Sequence, residues 1–557
     1  MKETTLAAFA RNKFARLLFV ASFTAFTFFC TSAYGGGNLV LLLNLFLAFA
    51  AFGYFEWKYS LLQKSLDALK QKDALAALAL SLYLLFEIGS AFYDTKIKGI
   101  YHSVSIQYLL VPGVCILALF SVFSLLCVPV KKMGGMIAYA KRAWQTAAKS
   151  EKYFFCIASF LAIAGVTILY FSSTAPRYEL YADGNIKWNI ILGLDTPSHG
   201  SRAHWLTLRG SITRPLIGWI SLPVTLPAAL LSRIFFSIPF GFQLFFQWFN
   251  ILLLVVTVLM IGRIARFQGP SRVFFFLLFS VSSPFLFWAI PVESYIIPTF
   301  YLVLFLYLSY TASASVPLSY ISALGSMITS GLVFPLAVKA KTIREYLLKA
   351  VGLGLVTVAA FAVTANSAFF LNLYGDVTER LDDFGGKTVT RESVALQYIG
   401  SIEGAFAWPD SDVSYQIVDQ YHLENPQEPV YSLWQMKQAP VETVRYPGLV
   451  LLAAVILGIL FNGKDKGYRY IAYWFGVALF MQLILGWNAK EQEMFLCSLY
   501  FGWPCIPLAM GLLEKLPAKL SMVRYGLYTA GAVTLAILNI PGLISLIRYC
   551  LEYYPAV

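Results

Sequence analysis

Long uninterrupted apolar runs constrain this chain more than any other feature of its sequence. Several extend over about twenty residues, the length that a helix needs to cross the hydrocarbon core of a bilayer. Backbone groups in lipid are satisfied only within helices or closed barrels, and the alternating segments of about ten residues typical of barrels are absent. The 557 residues are 59% hydrophobic and only 13% charged. We therefore predict an all-α polytopic membrane protein.

Lysine and arginine predict the orientation of these helices, because cytoplasmic loops are enriched in both residues. Here they cluster in short segments between apolar runs, such as residues 131–152 and 339–349. The net charge of +13 is therefore explained by membrane orientation and does not indicate a nucleic-acid partner. We expect about thirteen transmembrane helices, with predicted bounds 14–34, 39–55, 74–92, 106–128, 153–173, 240–262, 273–290, 295–308, 347–365, 447–461, 470–485, 494–513 and 525–547.

Two apolar segments do not fit this alternation as simple spans. If residues 215–238 crossed the membrane, Arg263, Arg266 and Arg272 would lie outside, against the charge rule, so we predict interfacial helices in the outer leaflet. Residues 319–338 would also break the rule as a span, and a re-entrant hairpin broken at Thr329-Ser330-Gly331 satisfies it. Because irregular backbone at that depth requires protein or a watery cavity beside it, the break should face a site.

This layout divides the chain into four predicted units. Residues 1–150 form an N-terminal extension of four transmembrane helices, and residues 151–372 form a transmembrane core whose first outer loop covers 174–238. Residues 373–445 form an extracytoplasmic cap loop, too long for a simple linker. Residues 446–557 form the C-terminal transmembrane helices.

The first outer loop follows directly from the apolar run 153–173 and concentrates polar side chains. It contains two of the four histidines of the protein. Its candidate site residues are Asp183, Asp195, His199, Arg202, His204, Arg209 and Arg214. Further charged residues are predicted on the same side of the membrane, in the turn IPVESY, the cap segment FGGKTVTR and the late turn WNAKEQE. These are Glu293, Lys387, Arg391, Lys490, Glu491 and Glu493.

Carboxylates and cations together at a membrane surface suit a transfer reaction. A carboxylate takes a proton from an acceptor hydroxyl, and Arg or Lys neutralises the growing charge of a phosphate leaving group. Within residues 150–515, five motifs follow one another along the chain: YELYADGN, HWLTLRGSITRPL, PVESY, MITSGLVFP and KEQEMFLCSLYF. The arrangement of these segments resembles the GT-C superfamily of integral membrane glycosyltransferases.

The resemblance implies an inverting transfer from a polyprenyl-phosphate sugar to a glycan, lipid or protein acceptor of the cell envelope. The enzyme would lie in the inner membrane, among membrane lipids, with its active site on the extracytoplasmic side. Asp183 matches the acidic residue of the family's first outer loop and would act as general base. This chain departs from the family by its four preceding spans and by a single Asp-Gly instead of a paired acidic motif. No cofactor is therefore assigned, and a divalent cation stays open.

Other interpretations of these residues remain. Asp183 and Asp195 could cap a helix or shape a turn, and Arg209 and Arg214 could anchor lipid head groups. Glu87, in the middle of a predicted span, is either a functional intramembrane charge or one half of a polar pair. The alternative functions are an O-antigen-type polymerase or ligase that uses lipid-pyrophosphate donors, with Arg391 and His422 essential, and a membrane transporter.

Overall fold

A computed structural model describes most of the predicted transmembrane helices and parts of both outer loops. The described residues are 12–31, 38–68, 74–92, 141–142, 144–177, 180–182, 186–188, 191, 205–206, 213–238, 240–313, 315–363, 391–408, 411–417, 430–436, 446–487 and 497–556. The predicted fourth span, 106–128, lies outside them.

The N-terminal extension contributes four helices to the described part of the chain, and the first two pack against each other. Its helices are α1 (Lys13–Thr31), α2 (Asn38–Tyr59), α3 (Leu61–Ala68) and α4 (Ala74–Phe92). Phe23 of α1 stacks on Phe52 of α2 at 4.1 Å between ring centroids. Arg16 Nε lies 2.7 Å from Glu56 Oε1, so the start of α1 is tied to the end of α2.

The core begins with a long apolar helix and continues through a series of shorter ones. These are α5 (Lys149–Ser172), α6 (Ile217–Ile220), α7 (Leu222–Ile234), α8 (Gly241–Ile264), α9 (Gly269–Ser280), α10 (Ser283–Trp288), α11 (Ile296–Tyr310), α12 (Val316–Ser326), α13 (Phe334–Ala337) and α14 (Ile343–Val363). A 3-10 turn, Ile328–Val333, separates α12 from α13. The span predicted at 273–290 is divided into α9 and α10, because Pro284 begins a new helix.

The last part of the chain supplies the cap helix and the C-terminal bundle. Its helices are α15 (Arg391–Gly404), α16 (Tyr446–Asn462), α17 (Lys466–Leu479), α18 (Ser498–Gly502), α19 (Cys505–Leu513) and α20 (Ser521–Tyr553). A π-helix, Phe480–Ile484, continues α17. The end of α20 returns to the end of α5, where Ser173 Oγ donates to the Cys550 carbonyl at 2.7 Å.

The predicted outer loops contain two short β-hairpins that an all-α chain does not predict. β1 (Leu180–Ala182) pairs antiparallel with β2 (Ile186–Trp188) on either side of the predicted base Asp183. In the cap, β3 (Ser411–Ile417) pairs antiparallel with β4 (Val430–Met436). The helical class therefore holds for the predicted membrane part, and the loops add local strands.

Three described helical segments are long and apolar enough to cross a membrane: 149–172, 241–264 and 518–553. Several other apolar helices are shorter, such as α11 with 15 residues. A helix of that length extends about 22 Å, less than the roughly 30 Å of a hydrocarbon core. Membrane character is thus supported, and the number of about thirteen spans stays a prediction.

Ion pairs join loops that the charge rule assigns to the same side. Glu151, at the start of α5, accepts from Arg263 Nε at 2.9 Å and lies 3.7 Å from Arg272 Nη1. Arg266 Nη1 lies 3.4 Å from Asp465 Oδ2, which brings the α8–α9 turn to the start of α17. The predicted inner loops therefore meet at one end of the bundle.

The segment between α11 and α14 turns back on itself. Lys339 Nζ, which follows α13, donates to the carbonyl of Ser309 at the end of α11, at 3.3 Å. The start of α12 and the end of α13 thus lie near the same end of the bundle, with the 3-10 turn between them. The chain thus forms a hairpin whose turn includes the predicted break Thr329-Ser330-Gly331. That this hairpin enters and leaves the membrane on one side stays a prediction.

Glu87 is one half of a polar pair between the extension and the core. Its buried carboxylate accepts a hydrogen bond from Arg233 Nε of α7, and Arg233 Nη2 lies 3.3 Å from its second oxygen. Arg233 Nη2 also donates to Ser90 Oγ at 3.2 Å, and the guanidinium lies 4.7 Å from the Phe86 ring centroid. Phe86, Glu87 and Ser90 share one face of α4. Through Arg233, this face of α4 holds the end of α7, the helix that precedes the core helix α8.

We predict that Glu87→Gln destabilises the protein, because it leaves the Arg233 charge without a carboxylate in apolar surroundings. Breaking a buried ion pair costs about 3–5 kcal/mol, and the part-exposed Arg233 places this case near the lower end. The double variant Glu87→Leu/Arg233→Met should recover most of that loss. Thermal unfolding in detergent measures both, with Glu345→Gln as the control, since its pair with Lys349 is exposed. A double variant as unstable as Glu87→Gln would contradict this prediction.

Candidate functional site

Side chains from four separate segments meet where the first outer loop enters the helix bundle. We call this group the Arg214 cluster. Its members come from the loop end, the α10–α11 turn, the 3-10 turn and α18. They are Arg214, Glu293, Ser294, Thr329, Ser330 and Tyr500.

Arg214 and Glu293 are connected through Ser294. Arg214 Nη1 donates to Ser294 Oγ, and Ser294 Oγ in turn lies 3.4 Å from Glu293 Oε2. The backbone N–H of Ser294 also donates to Glu293 Oε2 at 2.8 Å, which holds the buried carboxylate in place. The guanidinium lies 5.2 Å from the centroid of the Tyr295 ring. A cation and a carboxylate are thus positioned by one serine in the PVESY turn.

The 3-10 turn is fixed to the loop end by backbone hydrogen bonds. The N–H of Ile328 donates to the Thr213 carbonyl at 2.8 Å, and the N–H of Leu216 donates to the Gly325 carbonyl at 2.7 Å. A Cβ at Gly325 would lie 2.7 Å from the Leu216 side chain, so this close approach requires glycine. Residues on both sides of Arg214 are therefore held against the broken hairpin.

Tyr500 connects the hairpin to the C-terminal bundle. Its hydroxyl lies 2.6 Å from Ser330 Oγ and 3.1 Å from Thr329 Oγ1. The carbonyl of Tyr500 accepts from Trp474 Nε1 at 2.9 Å, which orients α18 against α17. The charge of Arg214 interacts electrostatically with Tyr500. The cluster therefore contains one cation and four hydroxyl groups, those of Ser294, Thr329, Ser330 and Tyr500.

Two buried amides of α8 support the PVESY turn from below. Gln247 Nε2 donates to the Trp288 carbonyl at 2.9 Å, and Asn250 Nδ2 donates to the Glu293 carbonyl at 3.3 Å. Both side chains are fully buried. They satisfy one carbonyl at the end of α10 and one in the α10–α11 turn, so the turn that carries Glu293 has a fixed backbone.

The cap packs on α10 through an aromatic group. Trp434 of β4 lies 6.3 Å from Phe287 and 6.1 Å from Trp408 between ring centroids. Ile191 of the first loop forms a parallel β-bridge with Trp434. Asn539 of α20 accepts from the backbone N–H of Trp408 and donates to the Phe406 carbonyl at 2.8 Å. The first outer loop thus contacts strand β4 of the cap, and β4 lies against α10, next to the α10–α11 turn.

The structure describes the side chains of only two predicted site residues, Arg214 and Glu293, and brings both into the cluster. The backbone of Arg391 begins α15, and its side chain lies outside the described part. The remaining predicted residues also lie outside it: Asp183, Asp195, His199, Arg202, His204, Arg209, Lys387, Lys490, Glu491 and Glu493.

Sequence reasoning missed Ser294 and Tyr500 as members of the site. Ser294 directly follows Glu293 in PVESY, and Tyr500 lies in KEQEMFLCSLYF, so both were inside motifs already singled out. Their polar neighbours in space come from distant segments, which no local pattern displays.

Among the residues with described positions, no group of three His, Cys, Asp or Glu side chains could hold a metal ion. The acidic residues of the first outer loop lie outside this set, and in the cap loop the acidic side chains with described positions are Glu392 and Glu403. The described cluster offers a guanidinium and hydroxyls, which are donors suited to an anion such as a phosphate.

Compared with known protein families, curated proteins and solved structures, the chain matches none.

We predict that Tyr500→Phe loosens the 3-10 turn, because it removes the group that contacts Thr329 and Ser330. Losing a hydrogen bond lowers the free energy of local opening by about 1 kcal/mol. Amide exchange in residues 327–333 should therefore become about fivefold faster. Hydrogen–deuterium exchange measures the change. Tyr470→Phe is the control, since its hydroxyl lies 3.3 Å from the Ser309 carbonyl, away from the turn. Unchanged exchange in Tyr500→Phe would contradict the assigned contact.

Proposed function

We propose that this protein is a membrane glycosyltransferase that uses a polyprenyl-phosphate sugar as donor. The transfer takes place on the extracytoplasmic side and delivers the sugar to a glycan, lipid or protein acceptor of the cell envelope. The observation that carries the proposal is the Arg214 cluster. It unites the loop end, PVESY, the broken hairpin and the late aromatic segment, which are four of the five motifs on which the GT-C resemblance rests.

The phosphate of the donor is the group that the cluster suits best. Arg214 offers a permanent positive charge and donates to Ser294 Oγ, and Thr329, Ser330 and Tyr500 add hydroxyls from the same cluster. Charge grows on the phosphate oxygen as the bond to the sugar breaks. A preorganised cation in low dielectric stabilises that charge more than the ground state.

The prenyl chain needs an apolar surface next to its phosphate. α7 follows the Arg214 segment, and its end carries exposed apolar side chains, among them Ile234, Phe235 and Phe236. An apolar chain lying along this helix would keep the phosphate near the loop end. This arrangement also explains why a lipid-bound donor, and not a soluble nucleotide sugar, suits the site.

Asp183 supplies the general base in this proposal. It takes the proton from the acceptor hydroxyl. The electron pair on the acceptor oxygen then attacks the anomeric carbon from the face opposite the phosphate. The bond between that carbon and the phosphate oxygen breaks with its electron pair on the oxygen. Polyprenyl phosphate leaves, and the configuration at the anomeric carbon is inverted.

Asp183→Asn should abolish proton removal and lower the rate of transfer by about 10²–10⁴-fold. The assay follows a radiolabelled sugar from polyprenyl phosphate to acceptor with purified protein in lipid nanodiscs. Asp67→Asn is the control, since Asp67 is an exposed residue of α3 whose carboxylate accepts from Gln63 Nε2 at 3.0 Å. Full activity of the Asp183 variant, with an unchanged unfolding temperature, would remove this residue from its role.

Arg214→Gln should lower the efficiency of the donor, kcat/KM, by about 10²–10³-fold, because it removes the cation next to the leaving phosphate. Arg266→Gln is the matched control, because Arg266 lies at the opposite end of α8 in an exposed ion pair. Equal efficiencies of the two variants would contradict the assigned phosphate contact.

The same assay separates the rival functions. Transfer only from lipid-pyrophosphate donors would favour the polymerase or ligase. Movement of labelled lipid across the bilayer with no transfer would favour a transporter.

A further inference from the structure

A small cavity lies where the cap helix meets the C-terminal bundle. α15 packs there against the π-helix and against α18. The cavity measures about 10 Å³, which is close to the space that a single water molecule needs. Its polar lining residues are Tyr398, Ser401, Gln482 and Ser498.

Two of the residues that line the cavity carry a hydroxyl with no partner in the described protein. Tyr398 Oη and Ser498 Oγ are both buried and form no hydrogen bond with any described residue. Each of these residues is only 2% exposed. Buried hydroxyls are nearly always bonded, either to protein or to an ordered water. The pair therefore points to a small ligand in the cavity.

The chemistry of the lining selects a neutral ligand that both donates and accepts. None of the described lining residues is charged. Burial raises the pKa of Tyr398 above its ordinary value, so its phenol keeps the proton and can donate. Gln482, 3% exposed, offers an amide with two donors and one acceptor. A water molecule matches this set and the available volume.

The π-helix explains why Gln482 lines a cavity at this position. The N–H of Leu485 donates to the Phe480 carbonyl at 3.1 Å, a bond over five residues that widens the helix. Gly486, with φ of 68°, then ends it in the left-handed conformation that favours glycine. π-Helices of one turn occur frequently at functional sites.

We propose that this cavity binds one water molecule, held by Tyr398, Ser498 and Gln482. The water joins the cap helix α15 to the π-helix and to α18, the two elements that flank residues 488–496 in the chain. This inference is independent of the proposed reaction.

A matched pair of serine variants tests the contribution of this water. Ser498→Ala removes one of its ligands and should lower the Tm of the purified protein in detergent. Ser283→Ala is the control, because Ser283 Oγ is also buried without a partner in the described protein but lies outside the cavity lining. Its loss should leave the Tm unchanged or raise it. If Ser498→Ala also left the Tm unchanged or raised it, the proposal would be overturned.

A cryo-electron microscopy map that resolves other interior waters tests the site directly. We expect one solvent peak within hydrogen-bond distance of both Tyr398 Oη and Ser498 Oγ. An empty cavity in such a map would overturn the proposal whatever the variants show.

Discussion

The 3-10 turn Ile328–Val333 interrupts a helical hairpin inside an apolar bundle, where each freed backbone group needs a partner from the protein. Backbone groups of Thr213 and Leu216 form hydrogen bonds with backbone groups at this break. The Tyr500 hydroxyl also contacts the side-chain hydroxyls of the turn. The requirement to satisfy this one break brings the end of the first loop and α18 to the same place. The Arg214 cluster is the consequence, since Arg214 lies between the two bonded loop residues.

The N-terminal extension is connected to this arrangement through α7. Glu87 holds Arg233 at the end of α7, while the beginning of the same segment is held by the hairpin at Leu216. The segment between the loop and α8 is therefore fixed at both ends. At the opposite end of the bundle, Glu151 and Asp465 join the arginine-rich turn 263–272 to neighbouring helices. Charged groups thus set the ends of the bundle, and apolar packing fills it.

Periodicity and charge predict the helices well because lipid leaves a chain few alternatives. The bounds 74–92 predicted for the third span coincide with α4, and the predicted break at Thr329-Ser330-Gly331 lies in the observed 3-10 turn. The π-helix and the β-hairpins depend on tertiary contacts and on backbone detail that local patterns do not contain. The membership of Tyr500 in the cluster depends on a contact 170 residues away, with Ser330. Sequence could indicate which segments carry polar groups, but not which atoms would meet.

We propose that the Arg214 cluster binds the phosphate of a lipid-linked sugar donor. The decisive measurement is a structure of the protein with a polyprenyl-phosphate sugar bound. We expect the phosphate within hydrogen-bond distance of the Arg214 guanidinium, the prenyl chain along α7 and the sugar toward the loop that carries Asp183. A donor phosphate bound elsewhere, with Arg214 still engaged only by Ser294 and its protein neighbours, would contradict it.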